Sequence, residues 1–188
     1  MLFRSEQRDL LANASDHLID FTTDTNVVGL FNSTDNWDVV KNVTEVMCFR
    51  NALRTLLNTG VASTVDRFFK ISGRYLLTNN FDIDYYKDYK VKSCIVVAQR
   101  KNSQFPYHLT QVEQQFMSRL WSWPASLTEE IVDVYTNSLN YMYERLNARG
   151  YVDIEHCLFK FLDHNKIIEK NPVGIQGNIA PNGVAIND

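Results

Sequence analysis

The sequence predicts an α/β fold with a mixed sheet, and three stretches carry that expectation. From about Asp38 to Asn58, the residues Val39, Val43, Val46, Leu53, Leu56 and Leu57 recur at helical spacing. Cys94-Ile95-Val96-Val97-Ala98 is a short unbroken apolar run, the pattern of a fully buried strand. Phe116 to Trp123 alternates, with Met117, Arg119, Trp121 and Trp123 against Phe116, Ser118, Leu120 and Ser122, the period of a strand. Strands interleaved with helices favour a layered α/β domain, and 188 residues suffice for one such domain spanning residues 1–188.

The remaining elements follow in chain order. Residues 5 to 14 read as a short helix and His17-Leu18-Ile19-Asp20-Phe21 as a strand. Residues 22 to 37, rich in Thr, Asn and Asp, read as a loop with an apolar island at Val27-Val28-Gly29-Leu30-Phe31. Gly60 is placed to end the long helix. Val65 to Ile71 is strand-like, with Asp66, Arg67 and Lys70 among its apolar residues. The polar stretch 99 to 112 would join the Cys94–Ala98 and Phe116–Trp123 strands as a hairpin. Ser126 and Glu129 have the spacing of a capping box, opening a helix that runs to about Ala148 and stops at Gly150. A last helix, about Asp153 to Leu162, aligns Ile154, Cys157, Leu158, Phe161 and Leu162 in one stripe. Residues 173 to 183 read as a strand that breaks into turns, with Asn182-Gly183 as a turn signal.

Composition narrows the function classes. A net charge of −3 offers no general basic surface, which argues against a nucleic-acid partner. No apolar run approaches the ~18 residues a membrane span needs, and the polar start Arg4-Ser5-Glu6 does not resemble an export signal. A cytoplasmic chain is expected, so the Asn-x-Ser/Thr triplets at Asn13, Asn32 and Asn42 are read as chance. Cys48, Cys94 and Cys157 lack metal-ligand spacing and read as small reduced thiols. His17, His108 and His164 are scattered, and no Gly-x-Ser-x-Gly or Cys/His pair points to a hydrolase.

Chemistry concentrates at Phe69-Lys70-Ile71-Ser72-Gly73-Arg74-Tyr75. Ligands of open α/β sheets bind where strands end. Ser72-Gly73 would let a backbone approach a ligand, Arg74 offers a planar fork for phosphate or sugar hydroxyls, and Lys70 offers a point charge. The competing reading is a plain strand-to-loop turn with surface charges. Asp82 and Asp84 form an Asp-x-Asp pair able to hold Mn²⁺ or Mg²⁺, a pattern that also arises by chance. Glu155 and His156 border the apolar stripe of the last helix, where a carboxylate can act as general base and His156 as its partner. An ordinary helix start explains the same pair. The stretch Gly174 to Gly183, including Gly177 and Asn178, offers free amides and close approach, or simply tight turns. Trp121 and Trp123 fit core packing better than sugar stacking.

Taken together, Phe69–Tyr75, Asn80-Phe81-Asp82, Asp153-Ile154-Glu155-His156 and Gly174–Gly183 resemble a group of GT-A-like glycosyltransferase domains from phages, large viruses and marine bacteria. The similarity runs from about residue 17 onward. It implies a mixed-sheet α/β/α sandwich, here without the usual first strand, that binds a nucleotide sugar and transfers the sugar to a glycan or other hydroxyl acceptor. In that reading Lys70, Ser72, Gly73, Arg74, Tyr75, Gly177 and Asn178 hold the substrate, Glu155 and His156 are catalytic, and Asp82 and Asp84 hold the cation. The place of the family's acidic metal motif reads Ser72-Gly73-Arg74-Tyr75, so either Lys70 and Arg74 replace the metal, or Asp82 and Asp84 supply it from the next loop, or activity is absent. The alternative is a non-catalytic carbohydrate- or nucleotide-binding or interaction domain of the same type.

Overall fold

The computed structural model describes residues 5–178 and 183–188. The first four residues and residues 179–182, including Asn182 of the expected Asn182-Gly183 turn, therefore lie outside the described residues. Three helices open the chain: α1 (Ser5–Asn13), α2 (Thr25–Ser33) and α3 (Trp37–Asn58). Strands β1 (Arg67–Ile71), β2 (Tyr75–Leu77), β3 (Ile95–Ala98) and β4 (Lys101–Asn102) follow. After the single turn α4 (Tyr107–Thr110) come β5 (Gln114–Gln115), β6 (Leu120–Pro124), α5 (Thr128–Asn147) and α6 (Ile154–Phe161). The chain closes with β7 (Ile167–Lys170), β8 (Ile175–Asn178) and β9 (Ala185–Asn187).

The main sheet is mixed, in the order β1-β6-β3-β7. β6 pairs antiparallel with both β1 and β3, and β7 lies parallel to β3. The β3 and β6 strands are thus antiparallel neighbours as expected, but β4, α4 and β5 fill the connection between them. A second sheet, β2-β8-β9, is fully antiparallel.

The strand pleat sorts side chains between two cores. Trp121, Trp123, Ile95 and Val97 point to a helical layer, where they meet Val43, Val46 and Leu53 of α3, Ile131 and Tyr135 of α5, and Leu158 of α6. The opposite face of the main sheet is covered without α-helices. Val96 meets Tyr86 and Val91 of the 78–94 connection, while Ala98 and Leu120 meet Tyr75 and Ile175 of the second sheet. The molecule is mixed α/β with a mixed sheet. Its layers run helix, sheet, then loop and small sheet, where an α/β/α sandwich was expected.

Several elements depart from the sequence reading. The apolar island at Val27–Phe31 is helical, because the Asp24 carboxylate accepts the N–H groups of Asn26 and Val27 at 2.9 and 3.2 Å and caps α2. Residues 17–21 form no strand. Phe21 packs against the helical core there, and the Asp20 carboxylate turns back onto the Thr22 N–H at 2.8 Å. The Ser126/Glu129 box does not form. Instead α5 begins at Thr128 after a 3-10 turn, and the buried Thr128 hydroxyl donates to the Ala125 carbonyl while accepting the Trp123 indole N–H. The buried Trp123 indole N–H is thereby satisfied at the start of the helix. All five residues of β6 are buried, so its alternation sorts two interior faces, with no solvent side.

Arg67 secures the outer layer. Its guanidinium donates to the Ser122 hydroxyl and to the carbonyls of Val91, Lys92 and Cys94, at 2.8 to 3.2 Å, and lies 5.5 Å from the Tyr86 ring centre. A charge set among the apolar residues of a strand thus clamps the 84–94 segment onto the sheet.

Candidate functional site

The Lys70–Tyr75 run divides between two environments. At the end of β1, Lys70 turns inward, and its ammonium donates to Ser72 Oγ at 2.8 Å, the Ser118 carbonyl at 3.0 Å and Glu45 Oε1 at 3.2 Å. All three ammonium hydrogens are thereby used. On the far side of Ser118, its amide and hydroxyl donate to Glu155 Oε1 at 3.1 and 3.2 Å. Lys70 and Glu155 are therefore joined through one serine. Burial pushes the Glu155 carboxyl up, the neighbouring Asp153 adds to this, and the Ser118 donors and Arg119 pull the other way.

Arg74 faces outward on the small sheet. Alternation along β2, β8 and β9 separates an inner row, Tyr75, Ile175, Gly177 and Ile186, from an outer row, Leu76, Gln176, Asn178, Ala185 and Asn187. Register places Gln176 between Leu76 and Asn187, and Asn178 beside Ala185. Arg74, just before β2, completes the outer row at the Asn178 end. Together they line an open cleft of about 790 Å³. The Arg74 guanidinium makes no hydrogen bond or ion pair among the described residues.

Tyr75 belongs to the core, buried against Met117, Leu120, Val173 and Ile175. Gly177 serves that packing, because a Cβ there would run into the Arg74 carbonyl and lie 2.6 Å from the Tyr75 ring. Gly73 is different: a side chain there would meet nothing within 4 Å. The residues proposed for substrate binding thus separate. Arg74, Gly177 and Asn178 share the cleft, while Lys70, Ser72 and Tyr75 are directed inward.

Asp82 and Asp84 sit on an exposed turn. Asp82 Oδ1 accepts the Asp84 N–H at 2.9 Å, and Asp84 pairs with Lys87 at 2.6 Å. Among the described residues no group of three or more His, Cys, Asp or Glu side chains could hold a metal ion. Both carboxylates are thus held by partners within their own turn.

His156 is not the partner of Glu155. It is fully buried, with Nδ1 2.6 Å from Asp153 Oδ1 and Nε2 2.8 Å from Ser103 Oγ. Asp153 also caps α6, accepting the His156 N–H at 3.1 Å.

Ser118, Ser103, Gln176 and Asn187 were not singled out from the sequence. The Gln176/Asn178 spacing of two residues on a strand carried a signal for one shared face. Ser118 and Ser103 gave no local signal, since Lys70, Glu155 and His156, the site residues they meet, lie 37 to 53 residues away. Comparison with known protein families, curated proteins and solved structures gave no match to this chain.

Proposed function

We propose that this chain is a binding domain for a carbohydrate or a nucleotide sugar, taken up on the outer face of the β2-β8-β9 sheet. One observation carries the reading: Arg74, Gln176, Asn178 and Asn187 line a single open cleft, with Leu76 on its edge strand. Each carboxamide offers an acceptor oxygen and two donor hydrogens, matching hydroxyls that both give and accept. The Arg74 fork suits paired hydroxyls or a phosphate, and Leu76 offers an apolar patch to a sugar's C–H face. The likeness to GT-A-like domains supports the same ligand class.

A second reading, sugar transfer from a nucleotide-diphosphate donor to an acceptor hydroxyl, is favoured by Glu155. A carboxyl raised by burial is tuned in the direction a general base near neutral pH needs. His156 would have no part in that step, because Asp153 and Ser103 hold both of its nitrogens.

Thermal stabilisation by a panel of oligosaccharides and nucleotide sugars, with and without Mn²⁺, tests the first reading. A shift from at least one ligand, independent of Mn²⁺ and lost in Arg74→Ala, is expected. No shift from any ligand would end it. Release of nucleoside diphosphate that depends on Glu155 would support the second reading instead.

A further inference from the structure

We infer that Ser103, His156 and Asp153 form a separate hydrolytic site, in which a serine nucleophile acts on small carboxylic esters. The three side chains make one hydrogen-bonded chain, Asp153 Oδ1 to His156 Nδ1 at 2.6 Å and His156 Nε2 to Ser103 Oγ at 2.8 Å. A nucleophile, a base and an orienting carboxylate in that order define an activated serine by geometry, whatever their order in sequence.

Proton positions follow from the partners. An ionised Asp153 only accepts, so Nδ1 of a neutral His156 carries the proton and Nε2 presents its lone pair to Ser103. Ser103 is fixed from its own backbone, since its N–H donates to the Glu113 carbonyl at 2.8 Å. Its Oγ also accepts the Phe105 N–H at 3.0 Å and lies 2.8 Å from the Phe105 carbonyl, which competes with His156 for the hydroxyl hydrogen. The imidazole is sealed from water, with the Phe105 ring 5.8 Å away, whereas Ser103 is half-buried on the loop after β4. The serine is therefore the most exposed of the three residues. Next to it, the Gln104 N–H makes no hydrogen bond among the described residues.

In the first step Ser103 Oγ bonds to the ester carbonyl carbon and its proton passes to His156 Nε2. Collapse breaks the bond to the alcohol oxygen, which leaves with that proton. Water then attacks the acyl-serine, giving its proton to His156. The acid departs as Ser103 recovers a hydrogen. Ser103 and His156 are the catalytic residues, and Asp153 is a positioning residue.

The experiment uses the full chain with a fluorophosphonate probe and p-nitrophenyl acetate. Labelling at Ser103 is expected, absent from a heat-denatured control, with ester hydrolysis lost in Ser103→Ala and His156→Gln. Asp153→Asn keeps the helix-cap oxygen and is expected to lower kcat by about 10²-fold with KM unchanged. Should His156→Gln fail to fold, Ser103→Ala decides alone, with its fold checked by circular dichroism and its melting temperature. Labelling elsewhere, no labelling above the denatured control, or hydrolysis unchanged in Ser103→Ala would overturn the assignment.

Discussion

Lys70 and Arg74 are four residues apart, and the molecule uses them in opposite ways. Lys70 is buried, with its three hydrogens committed to Glu45, Ser72 and Ser118. Arg74 stands exposed beside the carboxamides of β8 and β9. The crossover between sheets makes the difference: β1 is held in the main sheet under a helical layer, while the chain after Ser72 crosses to a sheet with one open face. Nearness in sequence placed both cations in one expected ligand site. The fold makes one a structural strut and leaves the other exposed on the small sheet.

The largest effect should come from the strut. Lys70→Ala strips donors from Glu45, Ser72 and the Ser118 carbonyl. A loss of about 2–3 kcal/mol in urea unfolding is expected, moderated because Glu45 is partly solvated. An unchanged midpoint would break the contrast with Arg74. Gly177→Ala comes next. Its added methyl meets the Arg74 carbonyl and the Tyr75 ring, so about 1–3 kcal/mol should be lost, and the neighbouring cleft should bind less well.

Glu155→Gln separates the buried cluster from the open face by pH. The raised carboxyl means the folded chain holds a proton that the unfolded chain has released. Wild-type stability therefore falls as pH rises from about 4.5, the ordinary glutamate value, through the raised folded value. The Gln variant, which keeps an acceptor for Ser118, should gain on wild type across that window and hold the gain at neutral pH. Stability curves at pH 4 and pH 7 check this, and a gap that shrinks with rising pH would contradict it. The smallest effect on stability belongs to the open face. Arg74→Ala and Gln176→Ala should each change the unfolding free energy by less than ~0.5 kcal/mol, as surface substitutions do, while reducing carbohydrate binding.

Much of the scaffold was legible because helical and buried-strand periodicities are local. The α3 helix, the α6 stripe and the Ile95–Ala98 strand follow directly from residue spacing. The α2 helix was hidden by its Thr- and Asn-rich flanks, since its start rests on a side-chain cap at Asp24. The β7 strand escaped notice because Ile167-Ile168-Glu169-Lys170 is short, and parallel pairing with β3 supplies its context. For the sites, the sequence located the right segment but could not assign its faces. Which of Lys70 and Arg74 faces solvent depends on strands more than 45 residues downstream, at β6 and β8. The hydrogen bond between Ser103 and His156 spans 53 residues, so no local pattern announced it.

A titration of ¹⁵N-labelled protein with oligosaccharides and with a nucleotide sugar, followed by amide chemical shifts, compares the two regions in one experiment. Saturable shifts at Arg74, Leu76, Gln176, Asn178 and Asn187, with Lys70, Ser118 and Glu155 unmoved, are expected. Shifts centred on Lys70, Ser118 and Glu155 with the outer row silent would contradict the account.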